Sequence, residues 1–187
     1  MNSKQKWFLA IASLFLVFFV TFLIVYKQPS IQATPPLQLK LQITPIDKGD
    51  ADSAIEYQTN GFKEEIIGES DPNVRIDLFR EYLIAVVKAN EFNAQEIYEG
   101  RQPIDNVGIN ITNIMGAVMT AKIEHDTTSV FERHDDYEGI SYKYFNLLEA
   151  SHEDGFTKEQ QQEAEKAQLK FEAKGQELID VVDQLYP

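Results

Sequence analysis

Cysteine is absent from this chain of 187 residues. Its absence excludes disulfides, thiolate catalysis, lipid attachment at cysteine and thiolate metal sites. Basic residues are also in deficit: 17 Lys and Arg face 30 Asp and Glu, for a formal net charge of −13. Such a surface excludes nucleic acid as an expected partner, because phosphate binding needs clustered Lys and Arg. Motifs that carry chemistry are missing too. There is no phosphate-cradling glycine loop, no G-x-S-x-G elbow, no H-E-x-x-H pair and no haem-attachment sequence. The chain is therefore read as non-catalytic. Its acidity suits solubility, a basic protein partner or a divalent cation.

Long apolar runs are equally scarce, with one exception. Residues 7–26, from Trp7 to Tyr26, hold 20 residues and no charge. As a helix rising 1.5 Å per residue this run covers about 30 Å, the thickness of a bilayer's hydrocarbon core. It exceeds the roughly 7–15 apolar residues of a signal peptide, and the one cleavage site in view, after Ala33, fits poorly. Trp7 and Tyr26 suit the headgroup level, and Lys4 and Lys6 ahead of the run predict a cytoplasmic N-terminus. No ionisable residue and no small-xxx-small pattern interrupts it, so a plain tether is expected.

The expected organisation is a cytoplasmic stub at 1–6, a transmembrane signal anchor at 7–26 and a proline-rich stalk at 27–36. An acidic helical domain at 37–187 would lie outside the cytoplasm, in a single-pass cell-membrane protein. Residues 1–27 hold three lysines and no acid, so taking them from −13 leaves −16 on the remainder.

Leu37 to Ile43 alternate apolar and polar with period 2, which reads as a half-buried strand or as an extended segment laid over the bundle. A strand would need a partner for its backbone. Asn60-Gly61 offers a hairpin turn, while the same stretch also reads as a short helix capped by Asp50 and stopped at Gly61. From Asp71-Pro72 the signals are helical, with Ile76, Phe79, Leu83, Val86 and Val87 at helical spacing. Residues 105–124 place Val107, Ile111, Ile114, Met115, Val118 and Met119 on one broad face. Thr127 to Ser129 read as a break. Residues 130–150 then put His134, Tyr137, Ser141, Tyr144, Phe145 and Leu148 on another face. Thr157 with Gln160 predicts a capping box, followed by a seam of Ala164, Phe171, Leu178 and Leu185. The fold class expected is thus mainly α: one N-terminal transmembrane helix plus an extracytoplasmic helical bundle, with a short strand or hairpin at 37–67 as the open alternative.

All three histidines have acidic neighbours: His125 beside Glu124 and Asp126, His134 before Asp135 and Asp136, and His152 before Glu153 and Asp154. Imidazole and carboxylate together ligate zinc, manganese or iron. Glu149-x-x-His152 matches half of a di-iron motif, but neither other histidine has a glutamate three residues ahead. His134 and His152 on one helix would stand about 27 Å apart, too far for one ion. A reversal at 127–129 could instead gather His125, Asp126, His134 and Glu138, which makes these four the candidate metal ligands. The plainer alternative is a bundle-edge histidine paired with Glu138. Tyr137, Tyr142 and Tyr144 are core or pocket candidates. Asn106, Asn110 and Asn113 are candidates for a polar cleft or for caps.

The leading functional expectation is a membrane-anchored extracytoplasmic protein that binds a protein partner as accessory subunit or inhibitor. Its contacts would be the membrane, through residues 7–26, and that partner. No cofactor is required by this reading. A small-molecule or divalent-metal sensor or binding domain is the alternative, and a membrane-associated enzyme the third.

Overall fold

The computed structural model describes residues 38–104, 111–123 and 127–186, all within one unit spanning 37–187. Every regular element among them is helical. Helix α1 (Lys48–Glu56) passes through a π turn (Tyr57–Gly61) into α2 (Phe62–Ile66), and α3 (Pro72–Tyr98), α4 (Ile111–Ala121), α5 (Thr128–Ala150) and α6 (Lys158–Leu185) follow. With the first three pieces forming one continuous rod, five helical rods pack together.

Helix α3 is the hub, packing against every other helix. Asp71 caps it by accepting from the Asn73 N–H at 2.9 Å, and Pro72 stands where no N–H is needed. Its apolar-all-round stretch is buried because neighbours cover it from several sides: Tyr82, Leu83, Ala85, Val86 and Val87 are all in the core. The helix runs unbroken to Tyr98. It ends at Gly100, whose φ of +72° suits glycine.

Helices α5 and α6 form an antiparallel hairpin. The ion pairs Arg133–Glu177, Asp136–Lys174 and Lys143–Glu163 rise along α5 as they fall along α6. Between these rims Phe171 packs on Tyr137 and Tyr144, with ring centroids 5.4 and 5.2 Å away. The capping box at the start of α6 closes in both directions: Gln160 N–H donates to Thr157 Oγ1 at 3.2 Å, and Thr157 N–H donates to Gln160 Oε1 at 2.8 Å.

The strand-or-hairpin alternative at 37–67 is corrected. Residues 38–47 form no strand, and four of their backbone groups are met by side chains of the helices. Tyr98 Oη donates to Leu39 O and accepts from Leu41 N–H. Gln95 Oε1 accepts from Ile46 N–H at 2.8 Å, and Gln168 Nε2 donates to Gln42 O at 2.7 Å. The period-2 alternation is real, since Leu39 is buried between exposed Gln38 and Lys40, but it lies on helices rather than in a sheet. Gly61 neither turns the chain nor stops the helix. Its φ of −56° is helical, and Tyr57 Cδ2 lies 3.0 Å from where its Cβ would be. The N-cap is Asp47, not Asp50. On α4, Met115 and Met119 point outward while Ile114, Ala117, Val118 and Ala121 are buried, so the core face is rotated from the expected one.

The membrane architecture is corrected as well. Residues 1–6, 7–26 and 27–36 lie outside the described residues, and among the described residues no helix is long and apolar enough to cross a membrane. The long helices carry charges along their length, such as Arg75, Arg80, Lys88 and Glu96 on α3, and such groups are costly in hydrocarbon. The single-pass anchored fold, the cell-membrane placement and the membrane contact through 7–26 thus have no described helix to carry them and are withdrawn.

Candidate metal centre

Helix α5 presents the apolar face expected of it: Val130, His134, Tyr137, Ser141, Tyr144, Phe145 and Leu148 are buried. His134 is the exception in chemistry. Its side chain is 0% exposed, yet neither Nδ1 nor Nε2 has a hydrogen-bond partner. A buried polar group left without a partner costs about 1–3 kcal/mol, so the position asks for an explanation.

Two carboxylates supply one. His134, Asp135 and Glu138 each bring one ligand atom to within 4.8 Å of the others. Glu138 lies one turn beyond His134 on the same side of the helix and is partly buried. Asp135, mostly exposed, reaches back so that its Oδ1 lies 3.5 Å from His134 Nδ1, beyond a good hydrogen bond. Among the described residues Glu138 makes no hydrogen bond or ion pair.

The neighbouring acid is already committed. Asp136 accepts from Lys174 Nζ at 2.9 Å, and the same ammonium donates to Glu177 at 2.8 Å. These bonds hold the Lys174 ammonium above its ordinary range, Glu177 first and Asp136 second. Asp136 is thereby used in joining α5 to α6, and Asp135 and Glu138 remain for a ligand.

Of the four ligands expected from sequence, His134 and Glu138 are brought together, while His125 and Asp126 lie outside the described residues. Asp135 was not among the four; it directly follows His134, and its short side chain folds back toward the ring. Among the described residues His152 joins no ligand set. Its Nε2–H donates to Ile97 O at 2.8 Å, clasping the last turn of α3, and its ring lies on Gly100. The Glu149-x-x-His152 motif is therefore structural. Tyr137 and Tyr144 are core, Tyr142 is exposed, and Asn113 faces a groove beside α4. Asn106 and Asn110 lie outside the described residues.

Compared with family models, curated proteins and solved structures, the chain matches none of them. The expected protein partner is withdrawn along with the membrane reading. The exposed large apolar side chains Ile67, Val74, Tyr142 and Leu169 belong to separate elements, apart from the Met115 and Met119 pair on α4. Single exposed apolar residues are ordinary on any surface and mark no interface.

Proposed function

We propose that this helical domain binds a divalent metal ion on α5, with His134, Asp135 and Glu138 as its protein ligands. The observation that carries the reading is the imidazole of His134, fully buried with both nitrogens unpartnered and two carboxylates within ligand range. Mixed imidazole and carboxylate donors favour zinc, manganese or iron over calcium or magnesium, which prefer all-oxygen sites. Three protein ligands leave coordination positions open for water or a small molecule. The assigned role is binding or sensing, with no turnover.

Titration calorimetry of the purified full chain with Zn²⁺ and with Mn²⁺ tests this. One equivalent is expected to bind, and His134→Ala and Glu138→Gln are each expected to weaken it at least tenfold. Asp136→Asn, which breaks only the bond to Lys174, is expected to bind as wild type does. Failure of the wild-type chain to bind either ion, or equal binding by the His134 and Glu138 variants, would overturn the assignment.

A further inference from the structure

A groove of about 450 Å³ lies between the π turn and α2 on one side and α4 on the other. It is separate from the His134 cluster and shares no residue with it. Gln58, in the π turn, lines it and is nine-tenths buried. Its Nε2 donates to Ala85 O at 2.9 Å and to Ala54 O at 3.3 Å, so both amide hydrogens are spent. Those bonds fix the orientation of the amide, since a flipped group would set Oε1 against two carbonyl oxygens. Gln58 Oε1 is left buried with no partner. A buried acceptor in this state calls for an O–H or N–H from outside the protein.

Three further observations agree. Helix α1 is interrupted here by a π turn, with Phe62 N–H donating to Tyr57 O, and such turns are rare and recur at functional sites. Among the described residues that line the groove, Lys63 is the charged one and none is a carboxylate, although the chain carries −13 overall. Gly116, mid-way along α4, also lines the groove, and nothing lies within 4 Å of where its Cβ would be. A glycine inside a helix is unfavourable, and here it leaves space rather than avoiding a clash.

We propose that this groove binds a small carboxylate that carries its own hydrogen-bond donor, of the 2-hydroxy or 2-amino acid class. Lys63 takes the carboxylate, Gln58 Oε1 accepts the ligand's O–H or N–H, and the apolar wall of Phe62 and Ala117 receives the side chain. The volume falls within the range of ordinary small-molecule sites.

The probe is phenyllactate, followed by amide chemical-shift changes in the full chain with a chelator present, so that the result is independent of the metal centre. Two comparators dissect the recognition: 3-phenylpropionate keeps the carboxylate and lacks the hydroxyl, and phenyllactamide keeps the hydroxyl and lacks the charge. Phenyllactate is expected to give saturable shifts in the π turn and α4 at millimolar concentration, with both comparators at least tenfold weaker. Lys63→Glu, at an exposed position, is expected to weaken phenyllactate at least tenfold and leave phenyllactamide unchanged. Gly116→Leu is expected to fill the groove and abolish binding without lowering the melting temperature. The absence of saturable shifts, equal binding of the three compounds, or undiminished binding to a folded Gly116→Leu chain would each refute the proposal.

Discussion

Replacing His134 with leucine is expected to stabilise the metal-free protein and to leave it weaker than wild type once metal is present. The imidazole is 0% exposed and neither nitrogen is hydrogen-bonded. Removing that desolvated polar group returns about 1–3 kcal/mol. Leucine's better helix propensity adds a few tenths of a kcal/mol. The change of shape in a packed core takes back up to about 1.5 kcal/mol. The balance is a gain of about 1 kcal/mol, or about 2–4 °C in a domain of this size. Metal reverses the order. At a free concentration 100 times Kd, a bound ion stabilises the wild-type chain by about 2.7 kcal/mol and the leucine variant not at all. The variant then melts about 3–7 °C below wild type. Thermal unfolding by circular dichroism, once with a chelator and once with Zn²⁺, reads both arms. A variant that is already less stable by more than about 1 kcal/mol in chelator would mean that the ring is held by contacts worth more than its desolvation. Equal stabilisation of both chains by zinc would place the ion elsewhere.

Three other expectations follow from the packing. Glu91 is partly buried, and its carboxyl is raised above the ordinary 4.5 by burial first and by Glu172 second. The folded state therefore holds this proton more tightly than the unfolded one, and stability is lost as pH rises through the folded pKa. Glu91→Gln should raise the melting temperature near neutral pH, with the advantage vanishing below the unfolded value; a difference constant with pH would contradict the cause given. Gly175→Ala should cost about 1–2 kcal/mol in urea unfolding even though alanine is the better helix former by about 1 kcal/mol. The new Cβ would stand 3.0 Å from Val87 Cγ1 and 3.3 Å from Tyr137 Cε2, with both side chains buried and Val87 stiff at χ1. Adding Val87→Ala should make the Gly175→Ala change less costly, and a stabilising single variant would refute the close contact. Tyr98→Phe removes the hydroxyl that joins Leu39 O and Leu41 N–H. Amide exchange at 38–46 should then quicken, while global stability falls by only about 1 kcal/mol.

What could be read from sequence was what local chemistry decides. The Asp71-Pro72 start of α3 and the Thr157–Gln160 box of α6 use side chains within three residues of the groups they cap, so no tertiary knowledge is needed. The seam of α6 was legible for a similar reason: Ala164, Phe171 and Leu178 repeat at helical spacing and are buried. Where distant residues decide, the reading failed. Asn60-Gly61 carries a turn signal, yet burial of Gln58, Phe62 and Ile66 against their neighbours keeps the chain helical through it. Over the described residues 38–43 the alternation was right about which side chains face inward and wrong about a strand, because the backbone partners are Tyr98 and Gln168, up to 126 residues away. Gln58 and Gly116 meet only through the packing of α4, and the one clue in the sequence was a glycine inside an apolar helix.

The histidine cluster shows the same division within four residues. As sequence, His134-Asp135-Asp136 is one acidic patch with an imidazole, in a chain with 30 acids. The helix separates its members. Each step of one residue turns about 100°, so Asp136 is carried toward Lys174 on α6 and becomes a link between helices. Glu138 returns to the side of His134, and Asp135 folds back within 3.5 Å of its ring. Composition counts these carboxylates as equivalent, but only those without a cation of their own can serve a metal. An acid whose partner is a neighbouring lysine strengthens the hairpin; an acid beside an unpartnered buried imidazole completes a ligand set. The difference lies in the pairing of α5 with α6, which also makes Lys174→Met informative. Releasing Asp136 in this way should loosen the hairpin slightly, as expected for an exposed ion pair, and leave metal affinity unchanged. A gain in affinity would place Asp136 among the ligands.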